Sequence, residues 1–313
     1  MRYDDFRRSD DIEDRRGEGG GGFGGGGGGF GLPMGGGGLG IGTLIVLGLI
    51  GYAFGIDPRI LIGGAEILTG GGQAPTYQTD RQSSGGQVKR GAPTDEMGSM
   101  IAGILGEIDD RWTEIFQASG QNYTGPKIVL FRNATNGGRC GMAQSAMGPF
   151  YCPPDKTIFL DTGFFREVET RFRGCSGNAC KFTAAYIIAH EAGHHVQNLL
   201  GIIPRVTRLQ QQAGSKAEAN SLQVRVELQA DCLSGVWVNR EEKKRPGFLE
   251  AGDIDAALTT ATAIGDDTLQ RQATGRVVPD SFTHGSAEQR KRWFMTGYQR
   301  GTVEACNTFG NGS

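Results

Sequence analysis

Apolar residues recur at spacings of three and four from Met97 through Met100, Ile101, Ile104, Leu105 and Ile108 to Trp112, behind a helix start at Thr94-Asp95-Glu96. That spacing lines one helical face and predicts an amphipathic helix packed on a core. Residues 127–131 and 157–161 are dense in β-branched and aromatic side chains and predict strands. The second of these runs is also a candidate sheet edge for a bound peptide. Residues 182–200 read as a mostly apolar helix, closed by Gly201 and Pro204. Further helices are expected over 216–240, 254–264 and 286–298, the last opened by Ser286 with Gln289 completing a capping box. Few strands and several long helices give an α+β domain over residues 94–313.

The first third of the chain follows another pattern. Residues 1–16 mix arginine and aspartate densely, and residues 19–38 are almost wholly glycine. Such a composition buries too little surface to offset its ordering entropy, so residues 1–38 read as a disordered arm. Residues 39–56 carry no charge; as a helix they would span about 27 Å, close to a bilayer core of about 30 Å. A single transmembrane helix is therefore expected there. The competing reading is a signal peptide cleaved after Ala53-Phe54-Gly55, but the long, partly acidic leader favours a retained anchor. Residues 57–93, rich in Gly, Ser, Gln, Thr and Pro, read as a flexible stalk.

Five arginines (Arg2, Arg7, Arg8, Arg15 and Arg16) precede the apolar run and only Arg59 follows it closely. This bias predicts a cytoplasmic amino terminus and a domain outside the cytoplasm. The mixed signs of the arm and a net charge of -2 argue against a nucleic-acid partner. The oligomeric state is not legible.

All six cysteines lie beyond the apolar run, an even number that fits disulfides in an oxidising compartment. Six cysteines allow fifteen pairings. Proximity suggests Cys175 with Cys180 and Cys140 with Cys152, leaving Cys232 with Cys306. The rival is a second zinc site, although no C-x-x-C pair is present.

The chemistry concentrates in His190-Glu191-Ala192-Gly193-His194. Histidines four apart share a helical face and can grip one Zn²⁺, with Glu191 beside the open coordination position as general base. A solvated polar patch is the plainer reading, but the apolar residues upstream argue for half-buried rings, costly without a shared partner. A catalytic zinc needs a third protein ligand. Gln197 and Leu200 stand where a metzincin would have its Gly and its third His, which excludes that class. Glu227 is the candidate instead, with Asp231 one turn on to accept the free ring N–H of a ligating histidine. The alternative for this pair is an ordinary solvated acidic couple. His195 reads as a non-ligand.

H-E-x-x-H followed by Glu227-Leu228-Gln229-Ala230-Asp231 resembles the gluzincin metallopeptidases. The wider layout, with Gly148-Pro149-Phe150-Tyr151-Cys152-Pro153 and Thr283-His284-Gly285-Ser286, is similar to a bacterial family of neutral zinc metallopeptidases. The resemblance implies a zincin-like domain, one Zn²⁺ and an endopeptidase acting on protein or peptide substrates. It also implies single-pass anchoring in the bacterial inner membrane with the domain periplasmic. His284 through Arg290 looks like the H-P-x-x-x-x-R segment of one gluzincin group, with Gly285 in place of Pro. That implies His284 or Arg290 at the oxyanion. The competing function is a non-catalytic, zinc-stabilised scaffold or binding protein of the envelope.

Overall fold

The computed structural model describes residues 1–18, 89–170, 175–177 and 179–310. Among these residues a five-stranded mixed sheet lies against a layer of helices. Its strands are β1 (Ile12–Asp14), β2 (Lys89–Arg90), β3 (Lys127–Phe131), β6 (Phe150–Cys152) and β7 (Thr157–Asp161), in the order β2-β1-β3-β7-β6. A hairpin of β4 (Ala134–Asn136) and β5 (Met142–Gln144) lies apart from it. The eight helices described are α1 (Glu96–Ala118), α2 (Phe164–Thr170), α3 (Ala179–Leu199), α4 (Ile202–Gln212), α5 (Lys216–Lys244), α6 (Asp253–Ala263), α7 (Asp266–Thr274) and α8 (Ala287–Arg300).

Alternation along the central strands divides the core. Ile128, Leu130, Ile158 and Leu160 join the main cluster with Ile101, Ile104, Leu105, Ile108 and Trp112 of α1. Val129, Phe131 and Phe159 point the other way and pack with Ala143 and Cys152. Period-2 side chains in a strand produce this two-faced burial.

The expected helices and two strands are present, with Asp95 capping α1 and the Ser286–Gln289 capping box opening α8. Gly201 ends the motif helix in a left-handed conformation, but the chain turns at once into α4 with Pro204 in its first turn. Proline is tolerated there because a first-turn N–H has no helical partner.

One expectation is reversed. Residues 1–18, read as the start of a disordered arm, belong to the fold. β1 sits inside the sheet, antiparallel to β2 and parallel to β3. Met1, Phe6 and Ile12 are buried in the main core. The preceding chain lies so close on α1 that a Cβ at Gly106 would meet the Arg7 carbonyl oxygen at 1.8 Å. The charges that suggested disorder are paired: the Arg7 guanidinium with Asp110 at 2.7 Å, and Arg16 with Asp14 at 2.6 Å and Asp95 at 2.5 Å.

A second correction concerns the edge. β7 is flanked by β3 and β6, so among the described residues the edge strand on that side is β6. The apolar run 39–56 and the other glycine-rich residues lie outside the described residues. No helix among the described residues is long and apolar enough to cross a membrane.

The six cysteines form Cys140–Cys152, Cys175–Cys180 and Cys232–Cys306 disulfides. None remains for a second zinc site.

Candidate metal centre

The motif helix α3 and the carboxylate helix α5 touch at Gly193. A Cβ there would lie 3.0 Å from the Ala230 carbonyl oxygen, so glycine permits the close approach. This contact brings His190 and His194 opposite Glu227 and Asp231.

Nε2 of His190 lies 3.2 Å from Oε2 of Glu227, and Nε2 of His194 lies 3.4 Å from the same oxygen. One ligand atom from each of the three residues falls within a 4.8 Å group. Zinc with bonds of about 2.1 Å places neighbouring tetrahedral ligands about 3.4 Å apart, so the donor set and its spacing fit Zn²⁺. Both rings are turned by what their other nitrogens meet. Nδ1 of His190 is 2.9 Å from Oδ1 of Asp231, and Nδ1 of His194 is 2.8 Å from Oε1 of Gln197. Each ring therefore donates from Nδ1 and directs the Nε2 lone pair inward.

Asp231 is itself held from three sides. Tyr186 donates its hydroxyl to Oδ1 at 2.6 Å, and Arg290 donates Nε to Oδ2 at 2.8 Å and Nη2 to Oδ1 at 3.0 Å. Nη2 of Arg290 also reaches the Tyr186 hydroxyl at 3.3 Å. Arg290 thus commits Nε and Nη2 to Asp231 and Tyr186. The Asp231 charge is favoured against its burial chiefly by Arg290 and His190, so its carboxyl stays below the ordinary range.

The electrostatics describe a pocket that draws positive charge. Burial opposes a charge on His190, yet the Asp231 charge and hydrogen bond, with Glu227, lift it to about 10. His194 is raised by Glu227 in the same way, against burial. Burial also opposes ionisation of Glu227, but the two histidines hold it well below the ordinary range. Glu191, 7% exposed, is pushed up by burial and lies in electrostatic reach of His194, His190, Glu227 and His284.

His284 stands at the turn before α8. Asp266, at the start of α7, accepts the backbone N–H groups of Thr283, His284 and Gly285 at 2.7, 2.6 and 3.0 Å, and its Oδ1 is 3.3 Å from Nδ1 of His284. Burial works against a charge on His284, but Asp266 raises it and Glu227 adds to the pull. His195 turns away from the pocket: its Nε2 bonds the Thr124 carbonyl at 2.6 Å and its Nδ1 meets the Tyr151 hydroxyl at 2.9 Å. Sequence reasoning missed Tyr186, Gln197 and Asp266. A glutamine three residues beyond a ligating histidine, on its own helical face, was the one available sign among these.

The whole chain resembles known proteins, not the motif alone. A family model described as "Putative neutral zinc metallopeptidase" matches residues 1–309. The uncharacterized protein YpfJ of Escherichia coli (strain K12) is 45% identical over 310 residues, which cover 99% of this chain and 99% of that one. An uncharacterized protein of Mycobacterium tuberculosis (strain H37Rv) is 39% identical over 263 residues, covering 82% of this chain and 83% of its own. No solved structure matches. The family match takes in β1 and runs past α8, so the chain belongs to the neutral zinc metallopeptidase family.

Proposed function

We propose that this protein is a zinc-dependent endopeptidase with one ion held by His190, His194 and Glu227. The carrying observation is the trio of donor atoms at a tetrahedral spacing, two of them 3.2 and 3.4 Å from the third, with buried Glu191 beside them. When bound, the ion supplies Lewis-acid polarisation of a water and of the scissile carbonyl. Glu191 takes the proton of the attacking water and hands it to the leaving amine. Burial suits it to that work, because it pushes the carboxyl toward holding a proton. His284, oriented by Asp266, which favours its charged form against burial, donates to the carbonyl oxygen as negative charge develops there. Asp231, pinned by Arg290 and Tyr186, keeps the His190 ring in its binding tautomer.

The substrate is a peptide that adds as a strand to the free edge of β6. This edge is tied to the motif helix, since Asn198 donates to the Tyr151 hydroxyl and to the Pro153 carbonyl, both at 3.0 Å. A zinc-stabilised scaffold without activity would have no use for a buried carboxylate beside an open metal position.

Three disulfides support an oxidising compartment for the domain. The place of β1 in the sheet supports the same compartment for residues 1–18. Exposed Asp10 and Lys291, each changed to Cys in the full chain, should react with a membrane-impermeant maleimide from the same side of a sealed membrane. Labelling from opposite sides refutes this arrangement.

The activity is tested with purified full-length protein. It should hold stoichiometric zinc and cleave an unfolded protein until a chelator is added. Glu191→Gln should keep the zinc and lose the cleavage, and equal rates for variant and parent would overturn the mechanism. Substrate trapping in membranes with that variant would name the natural substrate.

A further inference from the structure

The two histidine rings of the metal centre are oriented by unlike partners. The ring of His190 leans on a carboxylate locked by a guanidinium, whereas that of His194 leans on a neutral amide. A neutral amide orients a ring only if it cannot flip, because an inverted glutamine would offer an NH₂ group where the ring needs an acceptor.

The structure provides a reason why this amide cannot flip. Gln197 is 0% exposed, and its Nε2 donates to the Val226 carbonyl at 2.8 Å and to Oε1 of Gln229 at 2.9 Å. Inverting Gln197 would set its oxygen against both acceptors and its NH₂ against the His194 N–H. Gln229 is oriented in turn, since its Nε2 donates to the Cys306 carbonyl at 2.9 Å. That carbonyl is held over α5 by the Cys232–Cys306 disulfide, whose α5 end follows Asp231 directly. Every link donates in one direction, from His194 to Gln197, to Gln229, to Cys306. The chain is buried, where an unanswered polar group is costly, so the orientation at one end fixes the tautomer at the other.

We infer that Gln197 and Gln229 are positioning residues for the metal ligand His194, forming a one-way hydrogen-bond chain anchored at the Cys232–Cys306 bridge. This rests on the zinc reading above and extends it to residues that touch neither metal nor substrate. The chain holds the Nδ1–H tautomer of His194, which leaves its Nε2 lone pair free for the ion. Breaking it lets the ring sample the other tautomer and other rotations, and metal affinity falls. Loss of a group that orients a ligating histidine typically weakens metal binding by about 10–100-fold.

The test measures Zn²⁺ affinity of the full chain by competition with a chromogenic chelator. Gln197→Met preserves side-chain length and should weaken Zn²⁺ binding by about 10–100-fold. Gln229→Met, one link further away, should weaken it in the same direction by a smaller factor. ¹⁵N shifts of His194 in the metal-free protein, at a pH where the ring is neutral, should report the Nδ1–H tautomer in the parent and a mixture in Gln197→Met. A purely structural role would leave that signature unmoved. If Gln197→Met is folded and binds Zn²⁺ as tightly as the parent with an unchanged tautomer, the inference is wrong. If Gln197→Met does not fold, Gln229→Met decides on the same two readouts. If the parent itself binds no Zn²⁺, the metal reading fails first, a result distinct from parent-like affinity in the variants.

Discussion

At the amino-terminal strap, Arg7, Arg16 and Arg245 each meet a carboxylate supplied by the protein: Asp110, the pair Asp14 and Asp95, and the pair Asp5 and Glu107. Between α3 and α5 the groups converge differently, with three lone-pair atoms of His190, His194 and Glu227 aimed at a common point. Charge at the strap is balanced residue against residue and holds chain to chain. Charge at the centre is shared, with Arg290 on Asp231 from outside and His190, His194 and Glu227 converging on one another inside. The difference separates polar groups that build the fold from polar groups that the fold holds in readiness.

Four experiments press on that distinction. The largest effect is expected from Asp231→Leu, which leaves Arg290 buried without its partner and should cost about 3–5 kcal/mol of stability in denaturant unfolding. Changing Asp231 and Arg290 together to Leu should recover much of that loss, because no lone charge remains, while zinc affinity stays impaired. If stability and affinity recover together, the pair belongs to the fold and not to the metal centre.

His284→Ala comes next. Loss of an oxyanion donor should lower kcat by about 10²–10³-fold. Zinc content should be unchanged, since His284 is not among the three ligands. A fall in zinc content equal to the fall in rate would move His284 into the binding set.

Gly106→Ala tests the strap by the sign of its effect. An alanine in a free helical face raises stability by about 0.5–1 kcal/mol over glycine. Here its Cβ would meet the Arg7 carbonyl, so the substitution should instead cost about 1–3 kcal/mol as the strap is pushed off α1. A stabilised variant would show that residues 1–18 do not rest there.

The smallest effect is a pH slope. Glu241, beneath the strap, is pushed up to about 7 by burial and then by Glu107 beside it, from an ordinary 4.5. Between those values the folded protein keeps a proton that the unfolded chain has released. The stability from that proton is complete below the ordinary value and is lost as pH rises through about 7, with a limiting slope of about 1.4 kcal/mol per pH unit. Glu241→Gln should flatten unfolding free energy across that window. An unchanged profile would place the slope elsewhere.

Much of the helical layer could be read from spacing alone, since the α1 stripe, the apolar run into His190 and the capping box at Ser286 are local signals. The three clustered donors were legible for a related reason. Residues four apart on one helix must share a face, and a catalytic ion needs one more donor, which narrowed the choice to the carboxylates of α5. β1 was not legible, because three residues amid dense charge carry no periodicity of their own. Its strand character comes from β2 and β3 on either side, and its charges lose their solvent-loving meaning once Asp95 and Asp110 answer them. Asp266 and Gln229 escaped for the same cause: an acidic residue at a helix start and a glutamine in a helix look ordinary until folding shows which polar atom each faces.

The sequence by itself determined the chemistry: two histidines and a glutamate on one helix, a carboxylate pair on another, and cysteines sufficient for three bridges. Local spacing decides which side chains share a face, and that information lies within a few residues of the chain. Only the tertiary structure decided which strand forms the free edge, that residues 1–18 complete the sheet, that Arg290 serves Asp231, and that His194 is aimed through Gln197 and Gln229. Those are contacts between segments far apart in the chain, and their direction depends on close approaches such as Gly193 on Ala230, which no local pattern encodes.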